Sequence, residues 1–248
     1  NNDDSYLFLG LKEQETDPNA EDVDTANNEE VVTNESSANV DVWHWADERL
    51  QSLQMIEAEQ DREHTWRAVY HVDSNRLTLL EQEQMSTINT PRLGPWAVGR
   101  DHLPYVFDLN IEPNQADYYR VDMRSGEAKS IIQGVRHVLG ISPNGEWFVY
   151  LQQGDVFAYH LTSETAINLS KTANVDFQNM EDDRLGERQS YGIAAWSKDG
   201  HSLLLNHRYD IWAIDLQAET AMNLTQGLGS REQIRFRLEI LDLDDVEM

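Results

Sequence analysis

No cysteine occurs in the 248 residues, and lysine is scarce, with four against fifteen arginines. The first absence removes disulfides, zinc–thiolate sites and a cysteine nucleophile together. Cationic side chains are outnumbered: 45 Asp and Glu face 19 Lys and Arg, for a net charge of −26. Such a surface repels phosphate backbones and anionic bilayers, so neither nucleic acid nor membrane is expected as a partner. No apolar run reaches the length of a membrane span, and no signal peptide is present. The chain starts at Asn1 rather than Met, as expected of a trimmed chain that has lost its targeting segment. A periplasmic or secreted location is expected, with a cytoplasmic one left open.

Chemical motifs are missing as well. Gly140-Ile-Ser-Pro-Asn-Gly145 comes nearest to a nucleophile elbow, but Asn144 stands where the motif needs glycine. The eight histidines form no His-Glu-x-x-His spacing, and no glycine-rich phosphate loop occurs. Asp17 to Asp22 resembles the start of a calcium loop, yet Asp22 replaces the glycine at position six and Asn28 the closing glutamate. No catalytic, cofactor-binding or metal-ligating residue is assigned, and no cofactor is expected.

What the sequence does hold is a repeat. Ser142 to Ser170 aligns without a gap on Ser197 to Thr225, matching Ser142 with Ser197, Gly145 with Gly200, Asp155 with Asp210, and Phe157 with Trp212. A repeat of that period is one supersecondary unit copied along the chain. Each copy runs from an Asn-Gly or Asp-Gly turn into an apolar stretch, then a second turn, then Asp-Val-Phe or Asp-Ile-Trp. Short strands separated by such turns imply an all-β sandwich, barrel or propeller. In Asp210 to Leu216 apolar residues occupy both faces (Trp212, Ile214 and Leu216; Ile211 and Ala213). A sheet packed between two others needs that pattern, as a propeller blade does.

The fold expected is therefore an all-β β-propeller, partial or a fragment, of about four four-stranded blades over residues 1–248. The blades fall at roughly 1–82, 91–133, 135–172 and 190–227, with a stub at 232–248. Tyr6 to Leu9 reads as a strand ended by Gly10, and Asp41 to Trp45 as a second strand of the first blade. Between them, residues 12–38 carry nine acidic side chains, one basic and no aromatic, the composition of an acidic disordered loop. Arg49 to His64 suits a short helix or a crossover, and Asn174 to Gln189 a long loop. Asp117 to Met123 lines up with Asp155 to Leu161, and Ile234 to Ile240 should open a new strand.

Within the repeat, candidate site residues have plain structural roles to fill. Ser142 is a turn residue, His71 and His160 hold equivalent positions, and Asp155 and Asp210 open the same strand and should bond the local turn. Arg208, Arg235 and Arg237 suit carboxylates and are expected in internal ion pairs.

Several segments together resemble the propeller region of bacterial prolyl oligopeptidase-family serine peptidases. They are Val40 to Asp47 with Leu53-Gln54, Glu187 to Trp196, Arg208-Tyr-Asp-Ile-Trp212, and Asn223 to Gly229 with Ile234-Arg-Phe-Arg237. The blades, with Ser-Pro-Asn-Gly and Asp-Ile-Trp-x-x-Asp-Leu, are also similar to TolB-type and WD-like repeats. The resemblance implies a non-catalytic propeller that gates and positions peptide substrates for a C-terminal α/β-hydrolase domain. No hydrolase domain or triad is present in these residues, so no catalytic role carries over. Glu29-Glu30, the one glutamate pair to set against an exopeptidase's amino-terminus clamp, lies in the acidic loop without matching context. The alternative is a TolB-like interaction platform with no enzyme attached. Blades lacking a neighbour would expose an apolar face, so self-association is expected.

Overall fold

The computed structural model describes residues 6–12, 44, 47, 51–82, 85, 87–91, 93–105, 115–183 and 186–239. Strand β1 (Tyr6–Leu11), helix α1 (Gln51–Glu63), β2 (Trp66–His71) and β3 (Arg76–Leu79) come first, and the three strands form an antiparallel sheet. The second sheet is β4 (Thr87–Asn89), β5 (Trp96–Asp101), β6 (Ala116–Asp122) and β7 (Ala128–Val135). The third is β8 (His137–Ile141), β9 (Trp147–Gln152), β10 (Asp155–His160) and β11 (Thr165–Asn168). After α2 (Leu169–Ala173), the fourth is β12 (Ile193–Trp196), β13 (Ser202–Asn206), β14 (Ile211–Asp215) and β15 (Thr220–Asn223), followed by α3 (Leu228–Glu232). Every sheet is an antiparallel meander in sequence order. They are the blades of a β-propeller.

Both faces of the inner sheets are buried because neighbouring blades cover them. Leu151 and Val156 of the third sheet pack with Leu203, Leu205 and Ile214 of the fourth. Its other face, with Phe148 and Tyr150, packs on Val98 and Tyr118 of the second. The second meets the first through Val69, Ala97 and Val121. On the first sheet's far face Leu7, Leu9, Leu77 and Leu79 remain exposed.

The repeat reappears in atomic detail. Ser142 Oγ accepts from the N–H of Trp147 at 2.9 Å and donates to Asn144 Oδ1 at 2.6 Å. Ser197 Oγ accepts from Ser202 N–H at 2.9 Å and donates to Asp199 Oδ1 at 2.6 Å. Ser142 is therefore the turn residue that its repeat position implied.

Some expectations are corrected. Strand β1 does not end at Gly10 but continues to Leu11 by pairing with Arg67 and Trp66. Residues 41–43 and 45 lie outside the described residues; His44 is not in a strand, and its N–H donates to Asp47 Oδ2 at 2.8 Å. No strand opens at Ile234. Gln233, with φ of 55°, turns the chain there, and Phe236 N–H bonds Tyr209 O at 2.7 Å, which pins 234–237 across the β13–β14 turn. As expected, the described residues of the stretch 174–189 form a loop, and Gln178 pairs with Ser190 in an isolated bridge. The acidic stretch 13–38, the Asp17 motif and Glu29-Glu30 lie outside the described residues, as do 240–248.

Candidate functional site: the arginine-lined end of the blades

The two ends of the blades differ in chemistry. One carries the Ser142 and Ser197 turns and inter-blade bonds such as Asn144 Nδ2 to Asp199 O at 2.8 Å and Trp96 Nε1 to Thr162 Oγ1 at 2.8 Å. Arg120 also reaches Glu164 there, across two sheets, at 2.5 Å. These contacts are structural: they hold neighbouring blades in register.

The opposite end gathers the β9–β10 turn, the β13–β14 turn, the 174–192 connection and the segment after α3. Gly154 N–H donates to Glu187 Oε1 at 3.3 Å, and Tyr191 N–H to Phe177 O at 3.1 Å. In the second, third and fourth sheets the third strand begins at this end, with an aspartate tied to the last strand of its sheet or to the segment just beyond that strand. Asp117 accepts from Gly134 N–H at 2.9 Å and from the Tyr105 hydroxyl at 2.6 Å. Burial and that carboxylate push the Tyr105 hydroxyl up to about 12. Asp155 accepts from Asn168 Nδ2 at 2.7 Å. Asp210, 1% exposed, accepts from Thr225 and Ser230 hydroxyls and from the N–H groups of Gly229 and Ser230. Burial alone would raise its pKa; the four donated bonds outweigh burial and hold it below the ordinary value. Asp155 and Asp210 thus bond the ends of their own sheets and the segments beside them.

The histidines also have structural settings. His71, 8% exposed, has Nε2 3.0 Å from Met123 O. His160 Nδ1 accepts from Thr162 and Ser163 N–H groups, and its ring stands edge-on to Trp147 with centroids 4.6 Å apart.

Beyond the fourth sheet the three expected arginines come together. Arg235 Nη2 donates to both Glu181 oxygens, at 2.8 and 2.6 Å, and Arg208 Nε lies 3.6 Å from Glu181 Oε1. Arg237 donates to His207 O at 3.1 Å and lies over the Tyr191 ring at 5.6 Å. Burial holds the His207 imidazole below its ordinary pKa, with Asp210 opposing. Two of the three arginines thus pair internally, whereas Arg237 binds carbonyls and a ring.

A cleft of about 530 Å³ opens at the same end where the second, third and fourth sheets approach. Arg100 and Tyr118 come from β5 and β6, Arg136 and His137 from the start of β8, and Ser190 and Gly192 from the entry to β12. Burial raises the Tyr118 hydroxyl, and the Arg100 guanidinium that hydrogen-bonds it opposes the rise. His137 Nε2 lies 2.9 Å from Glu187 O. Among the described residues, no lining side chain is a carboxylate. Arg100 and Arg136 escaped sequence reasoning because neither lies in the strong repeat or in a familiar motif.

No protein-family model matches this sequence, and no curated protein matches it. Solved structures are similar to parts of the chain. Dipeptidyl peptidase 4 of Porphyromonas gingivalis is 12% identical with a TM-score of 0.44, over 65% of this chain and 30% of its own. For the tricorn protease the figures are 13%, 0.39, 62% and 16%. TolB from Acinetobacter baumannii gives 13%, 0.34, 65% and 38%. The match thus spans less than two thirds of each of those proteins. No helix among the described residues is long and apolar enough to cross a membrane.

Proposed function

We propose that this chain is the non-catalytic propeller part of a prolyl oligopeptidase-type serine peptidase. In that role it gates and positions short peptides for a hydrolase domain elsewhere in the parent protein, in the periplasm or outside the cell. Support comes from one observation above others. Three of the segments that carry the sequence resemblance, Glu187 to Trp196, Arg208 to Trp212, and Asn223 to Gly229 with Ile234 to Arg237, meet at one end of the fourth sheet. Phe236 bonds Tyr209, Arg237 bonds His207 O and covers Tyr191, and Asp210 binds Gly229 and Ser230. A generic blade does not by itself need the segment after α3 to seat on the β13–β14 turn.

The test is activity-based labelling of the parent protein with a fluorophosphonate, followed by turnover of short peptides against folded proteins. A labelled serine outside residues 1–248 and a preference for short peptides are expected. A parent that takes no label sinks the peptidase role.

A further inference from the structure

We propose that a second copy of this chain docks head to tail on the open ends of the blade series, so that two copies, each of four sheets, close one ring of eight blades. The inference stands apart from the peptide-positioning role, because it is read from mass and not from activity. Each junction between described sheets joins the forward face of one sheet, turned to the following sheet, to the rear face of the next. Among the described residues, the first sheet has no neighbour on its rear face and the fourth has none on its forward face.

The repeat identifies what each open face is built to do. Leu204, Ala213 and Met222 of the fourth sheet, with Leu224 just beyond it, fall in register on Val149, Ala158 and Ile167 of the third, with Leu169 just beyond. Val149, Ala158 and Leu169 are fully buried at the junction with the fourth sheet, and Ile167 packs against them. Strand pairing sets Leu204, Ala213 and Met222 side by side on the face turned away from the third sheet. There Met222 is 61% exposed and Leu224 43%. The first sheet offers the opposite half. His71 and His160 hold equivalent positions, so Ala68 and Tyr70 stand where Phe157 and Tyr159 of the third sheet pack toward the second. Leu7 and Leu77 flank Tyr70, and Leu9 and Leu79 flank Ala68, in two apolar rows across three strands. Those four leucines are 41 to 54% exposed.

A second copy supplies the missing half of the junction at both ends. A head-to-tail contact closes into a ring when its rotation divides a full turn. Two copies stay within the roughly four to eight blades that propellers use, whereas three exceed them. No residue named on either face is charged, although 26% of the chain is. Apolar faces of this kind mark association sites. A net charge of −26 on each copy opposes their meeting, and salt screens that repulsion while leaving apolar contact intact.

The mass of the chain would be measured by sedimentation velocity over a range of protein concentrations and ionic strengths. Twice the mass of one chain is expected, with tighter association as salt rises. Leu77→Lys alters the first face and Met222→Glu the fourth, both at exposed positions. Either alone should weaken association at least about tenfold, because both junctions of the ring carry a buried charge. An equimolar mixture of the two variants should associate more tightly than either alone, since one junction then joins two unaltered faces. Leu103→Lys, at an exposed position beside the second sheet, should change nothing. A monomer at every concentration overturns the proposal, whether another segment of the chain or a further blade of a longer parent takes the second copy's place. Mass that grows beyond two copies overturns the closed ring. Association lost in Leu77→Lys and kept in Met222→Glu means that the first face pairs with itself, and overturns the head-to-tail arrangement. A mixture that regains nothing does the same. Should either variant not fold, the mass of the wild type decides alone.

Discussion

Asn144 Nδ2 donates, at 2.8 Å, to the carbonyl of Asp199, the residue that fills Asn144's own place 55 positions later. The same turn position thus meets its copy across two blades. Asn144 also accepts from Ser142 Oγ and Glu146 N–H. Asp199 makes the equivalent local bonds to Ser197 Oγ and His201 N–H. An aspartate therefore suffices for the two accepted turn bonds, while the amide nitrogen reaches the next blade and also donates to Glu146 Oε2 at 3.1 Å. Asn144→Asp should keep the accepted turn bonds, lose the donated bonds to Asp199 O and Glu146 Oε2, and lower stability by about 1 kcal/mol or more in urea unfolding. An unchanged midpoint would show that these contacts contribute nothing.

The glycines of the two turns separate backbone strain from crowding. Gly145 and Gly200 have φ of 69° and 72°, so alanine at either costs about 1 kcal/mol or more for the left-handed backbone. A Cβ at Gly145 would stand 2.2 Å from Leu93 O, which is backbone and cannot yield cheaply. At Gly200 it would meet the Asn144 side chain at 2.5 Å, and a side chain rotates away. Gly145→Ala should lower the melting temperature more than Gly200→Ala. The reverse order would place the give in the Leu93 loop.

Asp210 gives the fold a pH dependence of known sign. Its folded pKa lies below the ordinary 3.8, so the unfolded chain binds the proton more readily. Its stabilisation is present above that ordinary value and is lost as pH falls through the lower folded value. Asp210→Ala leaves four buried or half-buried donors without their acceptor and should cost about 3 kcal/mol at neutral pH. The gap between wild type and variant should narrow in urea titrations carried below the ordinary value. A gap that stays constant with pH would mean the carboxylate is not what the donors recognise.

Trp212 packs against the core between the third and fourth sheets, and its buried Nε1 has no protein partner among the described residues. Trp212→Ala should therefore cost about 3 kcal/mol, the low end for a large aromatic because the ring is only half-buried. Trp212→Phe keeps an apolar ring and removes the unpaired donor, so it should fall within about 1 kcal/mol of the wild type. A Phe variant as damaged as the Ala variant would show that the indole N–H has a partner in solution.

Residues close together in the chain made much of the blade legible. Ser142-Pro-Asn-Gly145 and Ser197-Lys-Asp-Gly200 encode their turns locally, and the apolar runs after them become β9 and β13. The repeat register carries over to Asp155 and Asp210, whose short-range bonding follows from where they open a strand. The segment after α3 misled, because Ile234 to Ile240 has a strand's apolar pattern while Phe236 is held by Tyr209, a partner on the far side of β14 and β15. The Arg100–Arg136 cleft was hidden for the same reason. A turn is fixed by dihedral preferences and hydrogen bonds among neighbours, which any local stretch displays. A cleft is fixed by which distant side chains three packed sheets leave facing one another, and that is settled only once Val98, Tyr118, Phe148 and Leu203 have buried their apolar surface between the blades.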